Sequence, residues 1–511
     1  MKEIIGINII GLMINNVIPS QLKKSRIIGM VISIITLYII LGKLLLYNNN
    51  NSEYQDRLII FYFSFGLDGI GLGLIGLIGV LDPIILILVK RERKEEKERK
   101  RIINYLLIIK TLIIILFSSL DLFIFFITFE LLLIPMFLLI SRYGSKYNYF
   151  LPRLEAGLRF FMYTMLGSLL MLISIIIIYT KYGTTSNELL NLKISHTILL
   201  SNNSDINLLQ IIWIFLFFSF LIKIPMFPFH TWLPLAHSDA PTIGSIILAA
   251  LLLKLGSFGI LRYSLYLFSP INMTNTNTSN SIYFDGIYKI FLPIILILAL
   301  LSIYYSSILT IRAIYDFKRI IAYSSIIHMN FSIFGFFSKN FIGLVGSSLL
   351  MFTHAFISSA LFLLIGLLYK RYHSRFIYYF QGLSSSLPLF SFFLFFFSFA
   401  NISLPFCFSF LSEFFILLSS FLFNPLISFL LVFSLLFSSC FIIWFLIRLL
   451  FGYPSPYLCV YNNQKQVLGG YKDLSFNELI TLIPFFFFTL FFTFFPQPFI
   501  SLFSLPILIL I

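Results

Sequence analysis

Two lysines lie where a lysine is costly. Lys254 sits inside the otherwise apolar stretch 243–260, and Lys223 sits in the apolar run 213–229, two residues before Pro225. A charge at the centre of a membrane helix costs about 2.5 to 3.5 kcal/mol on insertion scales, so such residues mark function by default. An ammonium group taken out of water comes within range of reversible protonation, and a nearby carboxylate favours its charged form. The chemistry these residues offer is therefore to hold a proton and pass it on. Glu130, in the middle of the apolar run 121–140 with Thr128 close by, requires a cation or a proton. Lys223 is its most economical partner, although a static ion pair joining helices, or a lysine snorkelling to an interface, would account for the same residues.

Three further groups extend the set. His328 and His354 fall in two later apolar runs, and Glu413 lies past Pro405 in the run 392–421. Histidine holds and passes a proton near neutral pH through its two nitrogens, but either one alone also fits a satisfied packing residue. Pro225 and Pro405 each mark a helix break beside a charged residue, and a broken helix frees backbone groups that only protein or water can satisfy. Lys110 and Arg159 lie close enough to span ends for snorkelling, Asp68 and Asp82 are ambiguous in the same way, and all four stay outside the relay.

The elements that must position these groups follow from composition. The chain has 511 residues, of which 59% are hydrophobic and 11% charged, against about 25% charged in a soluble protein. It is expected to be an all-α, polytopic membrane protein, because the backbone in a bilayer must hydrogen-bond within itself. Apolar runs at 4–19, 27–46, 66–89, 102–120, 121–141, 157–179, 208–229, 240–263, 288–311, 320–338, 341–369, 387–421, 426–450 and 478–495 give about fourteen spans of the ~20 residues a bilayer needs.

Loop charges orient the spans. The basic segments 23–26, 91–101, 142–153, 312–319, 370–375 and 448–472 fall on one side, together with the loop 230–239 carrying His230, His237 and Asp239. The loops 184–207 and 269–285 on the other side are rich in Asn, Ser and Thr, so both termini are expected on the non-basic side. The net charge of +15 thus reflects topology and needs no nucleic-acid partner. The block 91–101 reads as a solvated helical extension with opposite charges three and four residues apart.

Several function classes are excluded or unsupported. Gly71, Gly73 and Gly76 match a dinucleotide fingerprint in spacing, but that motif needs a preceding strand and a βαβ unit and here lies inside an apolar span, so close helix packing through Gly69 and Gly73 is expected instead. Cys407, Cys440 and Cys459 are far apart, which supports neither a cluster nor a zinc site, so any redox centre belongs to a partner. The N-terminus lacks the character of a transit peptide, so the first span is expected to be retained. The many phenylalanines and the run Asn48 to Asn51 suggest an AT-rich organelle genome.

The segment Leu221-Ile222-Lys223-Ile224-Pro225-Met226, the following His230-Thr231-Trp232-Leu233-Pro234-Leu235-Ala236-His237-Ser238-Asp239-Ala240-Pro241, and Lys254-Leu255-Gly256 together resemble the antiporter-like subunits of respiratory complex I. The resemblance covers about residues 65–413 and includes Phe129-Glu130-Leu131, His328 and His354. Glu413 stands where the larger paralogue typically has lysine, and Asp239 stands where the family usually has glutamate.

The resemblance implies two inverted five-helix repeats, each with a proline-interrupted helix. The corresponding divisions are 1–101, with three helices and a basic loop; 102–263 and 264–451, the two repeats; and 452–511, with a loop, the last span and a tail. It further implies proton transfer through Glu130 and Lys223, then Lys254, then His328 and His354, and finally Glu413. NADH, FMN, iron-sulfur clusters and ubiquinone would be held by other subunits. The implied partners are the other membrane-arm subunits, including paralogous antiporter-like ones, and lipids, with protons as the transported species, in the mitochondrial inner membrane. A subunit of a multi-subunit cation/proton antiporter and a structural spacer are the rival expectations.

Overall fold

Helices form wherever the chain must cross an apolar medium, because each helix satisfies its own backbone N–H and C=O groups. The structure, a computed structural model, describes residues 2–17, 24–47, 55–60, 63–92, 95–144, 150–200, 203–267, 279–312, 316–338, 340–453 and 473–508. Asn48 to Asn51, Cys459 and most of the basic loop 448–472 lie outside the described residues.

In chain order the helices are α1 (Lys2–Val17), α2 (Lys24–Leu46), α3 (Gly69–Glu92), α4 (Glu96–Ser118), α5 (Leu122–Leu131), α6 (Leu133–Tyr143), α7 (Phe150–Tyr182), α8 (Asn187–Leu200), α9 (Asn203–Lys223) and α10 (Trp232–Asp239). Then come α11 (Thr242–Leu265), α12 (Ser279–Arg312), α13 (Phe317–Phe337), α14 (Phe341–Tyr372), α15 (Pro388–Ile402), α16 (Phe408–Phe423), α17 (Pro425–Leu450), α18 (Phe476–Phe494) and α19 (Gln497–Leu508). Among the described residues, 11 helices are long and apolar enough to cross a membrane, and 207–223, α15 and α16 are shorter apolar helices. Each of the expected apolar runs contains helix, so the all-α reading holds.

Three segments depart from expectation. An antiparallel hairpin, β1 (Gln55–Ile60) paired with β2 (Phe63–Leu67), precedes α3. The stretch 184–207, read as a loop, contains α8 and the start of α9. Its polar residues masked a helical stripe: Leu190 and Ile194, one turn apart, are buried while Leu189 and Leu192 face outward. Most of the supposed loop 230–239 is likewise helical, as α10.

The chain divides into two compact units. The first comprises Met1–Trp232, Leu251–Ile297 and Pro498–Ile511, and the second Leu233–Ala250 and Leu298–Gln497. In the first, α3 packs closely on α19: a Cβ at Gly69 would overlap the Leu502 carbonyl, and one at Gly73 would press on the Phe503 ring. The glycine triplet serves helix packing, as its apolar context requires. The block 91–101 continues into α4 from Glu96 and carries an Arg99–Glu96 pair at 2.5 Å. In the second unit α14 is the central helix, wholly buried along its apolar window and packed against α13 and α16.

Candidate functional site

In the first unit the site is built from α5, α7, α9 and α11. Helix α9 stops at Lys223 because Pro225 offers no N–H to continue it. The carbonyls this break frees are satisfied one by one: Met226 N–H donates to Leu221 at 3.2 Å, and the Trp232 indole N–H donates to Ile222 at 3.1 Å. The break is thus closed by a side chain ten residues on. Lys223 is fully buried, its Nζ 4.2 Å from the centroid of the Phe129 ring and 5.8 Å from that of Phe160. That Nζ has no hydrogen-bond partner among the described residues.

Glu130, next to Phe129 in the last turn of α5, is directed elsewhere. Its Oε1 accepts a hydrogen bond from the Ser168 hydroxyl of α7 at 2.9 Å. Sequence reasoning paired Glu130 with Lys223; the structure sets Lys223 against Phe129, the residue before Glu130, but gives the carboxylate a hydroxyl partner. Ser168 was missed because nothing in a lone serine among apolar residues marks which helix it faces.

Lys254 is completely buried in α11, between two π-helical turns, Leu248–Leu252 and Ile260–Leu265. Such turns are rare and concentrate at functional sites. Two residues beyond it, Gly256 admits the Lys223 Cβ: a Cβ at Gly256 would lie 3.2 Å from it. At Gly259 an added Cβ would overlap the Phe220 ring, so α9 and α11 meet through glycine where the two lysines lie.

In the second unit His328, His354 and Glu413 converge from α13, α14 and α16, and all three are buried. His328 Nδ1 is 3.0 Å from Glu413 Oε1, close enough for an ion pair though not aligned as a hydrogen bond. The His328 and His354 ring centroids are 5.6 Å apart. Glu413 reaches them because the chain breaks at Pro405 between α15 and α16. Ser403 ends α15 in the left-handed conformation (φ 63), and the Ser409 hydroxyl satisfies the Ala400 carbonyl at 2.6 Å.

The remaining named residues divide between the units. His230 is buried in the first, its ring centroid 6.0 Å from that of Phe227. His237 and Asp239 belong to the second, where His237 stacks on Phe362 with centroids 4.5 Å apart. Asp239 faces Arg375 at 3.9 Å, and the buried Lys318 donates to the Ala240 carbonyl at 2.7 Å. Burial holds the Asp239 carboxyl above the ordinary carboxylate range, an effect opposed by Arg375, Arg319 and Lys318.

Two buried ion pairs correct the snorkelling account. Lys110 does not reach for an interface: its Nζ lies 2.5 Å from Asp82 and 2.7 Å from the Thr36 hydroxyl, with the two charged side chains 2% and 7% exposed. Asp68 pairs with Arg262 at 2.5 Å, and Arg262 also donates to the Phe117 and Ser119 carbonyls at the end of α4. Arg159, by contrast, pairs with Glu155 on an exposed face.

With this geometry in view, comparison with known proteins is decisive. The family described as NADH:quinone oxidoreductase/Mrp antiporter, transmembrane region, matches residues 119–439. The chain belongs to this family. Relatives called NADH-ubiquinone oxidoreductase chain 4 include one from Chondrus crispus, 39% identical and covering 93% of this chain and 90% of its own length. Those of Marchantia polymorpha and Arabidopsis thaliana are 36% and 37% identical, over 95% and 91% of this chain and 91% and 87% of their own. Among solved structures, a chain of respiratory complex I from Thermus thermophilus with bound NADH superposes with a TM-score of 0.80 at 23% identity, covering 99% of each chain. A chain of an archaeal membrane-bound sulfane sulfur reductase does so at 0.81 and 18%, covering 99% of this chain and 96% of its own. These two likenesses bear on the fold of the family member described here.

Proposed function

We propose that this chain is a proton-translocating membrane-arm subunit of NADH:ubiquinone oxidoreductase, the counterpart of the relatives called chain 4. It works as a multi-pass protein of the mitochondrial inner membrane, organelle-encoded, with both termini toward the intermembrane space. NADH, FMN, iron-sulfur clusters and ubiquinone are bound by partner subunits, and this chain contributes ionisable side chains only. Its neighbours are other membrane-arm subunits, paralogous antiporter-like ones among them, and lipid.

The observation that carries the reading is the placement of Lys223. A fully buried lysine ends an interrupted helix, its Nζ against the ring of Phe129, the residue before Glu130 on another helix. Approach of the Glu130 carboxylate favours a charged lysine, and its withdrawal favours release of the proton. Each pK unit of that difference is worth about 1.4 kcal/mol, so a modest displacement suffices to move a proton. Glu130, Lys223 and Lys254 in the first unit, and His328, His354 and Glu413 in the second, are the groups assigned to this work.

The test is Lys223→Met in the assembled complex, reading protons pumped per NADH oxidised. Suppressed pumping is expected; pumping at the unaltered ratio would sink the assignment.

A further inference from the structure

Glu130 must be able to leave one posture for another if it is to act on Lys223, and the structure shows what holds it. The Ser168 hydroxyl, fully buried on α7, lies 2.9 Å from Glu130 Oε1 and also 2.9 Å from the carbonyl oxygen of Met165 in its own helix. A hydroxyl has one hydrogen to give. Two acceptors at the same distance therefore compete for it.

The neighbouring residue fixes where this happens. Gly167 lets α7 approach α9 so closely that a Cβ there would lie 3.2 Å from the Ser219 carbonyl and 3.4 Å from the Ile222 Cβ. Ser168 thus stands at the contact of α7 with the last turn of α9, the turn that ends in Lys223, while its hydroxyl reaches across to α5.

We infer that Ser168 is the positioning residue for Glu130: its hydroxyl parks the carboxylate on α7, away from Lys223, and frees it by turning to the Met165 carbonyl. The exchange keeps the hydroxyl hydrogen bonded throughout, and the freed carboxylate oxygen takes Lys223 as its partner in place of Ser168, so release strands neither group. The Lys223 Nζ, set against Phe129 and without a hydrogen-bond partner among the described residues, matches the parked posture. This inference rests on the proton-transfer reading of Glu130 and Lys223 given above.

The experiment compares Ser168→Ala, Ser168→Thr and Lys223→Met in the assembled complex. The readouts are protons pumped per NADH and the infrared carboxylate band of Glu130, assigned by its loss in Glu130→Gln. A hydrogen bond to a charged group governs about a tenfold ratio between two postures. Ser168→Ala is therefore expected to shift the Glu130 band and lower the pumping ratio, and Ser168→Thr, which keeps the hydroxyl, to restore both. An unshifted band in Ser168→Ala overturns the inference whether pumping falls or not, because a packing defect alone would leave Glu130 as it was. Unaltered pumping in Lys223→Met overturns the underlying relay reading, whereas lost pumping there with a normal Ser168→Ala overturns only the role of Ser168.

Discussion

Lys110 and Asp82 show what a single residue's burial implies. Their pair is sealed from solvent and bonded to Thr36, so removing one partner strands the other charge. Lys110→Met alone is expected to destabilise the protein by about 3–5 kcal/mol, while Lys110→Met combined with Asp82→Leu recovers most of that loss. Thermal unfolding in detergent, read on both variants, checks the ordering. The burial of most of the proposed relay residues was legible because a lysine or glutamate in the middle of an apolar run has no cheap explanation. Their partners were not. Asp82 lies 28 residues from Lys110, Ser168 lies 38 from Glu130, and a single sequence carries no sign of which helices face each other.

Helix ends and helix contacts carry the next level. Proline announced both breaks, and the backbone accounting around them then follows from the missing N–H. Trp232→Phe keeps an aromatic ring, though a smaller one, and orphans the Ile222 carbonyl, a loss that by itself should cost about 1–3 kcal/mol. Hydrogen exchange should quicken around residues 222–232, and unchanged exchange there would contradict the closure described. The meeting of α9 and α11 predicts a second effect. Gly259→Ala forces a Cβ into the Phe220 ring and should cost about 1–3 kcal/mol, with Phe220→Leu in the same chain relieving it, as measured by the yield of assembled complex. Neither the π-helical turns of α11 nor the β1–β2 hairpin was legible. A π turn has no composition of its own, and nearly all of the hairpin lies before the apolar run 66–89, in a stretch too short and too polar for the span criterion to assign.

For the whole molecule, the periodic return of apolar runs made the architecture readable from end to end, since the bilayer enforces helices of a set length more strictly than water does. Side assignment rests on the basic loops alone. If the rule holds, Arg142→Cys, exposed at the end of α6, is labelled by an impermeant thiol reagent only from the matrix face, and a cysteine at Lys2 only from the intermembrane-space face. Labelling of each from the other face would invert the topology, and labelling of both from one face would overturn the number of spans between them. The broad apolar surfaces left outward by α2 and α17 are what lipid or neighbouring subunits would cover.

The indole of Trp232 that closes the gap after Lys223 has a kinetic meaning. Tied across ten residues, the interruption behaves as a rivet instead of a joint, and the backbone on either side has little freedom to swing. On the proposed proton-transfer reading, the moving parts near Lys223 are then buried side chains turning about their own bonds within a packed core, and not a helix shifting as a body, which takes microseconds or longer.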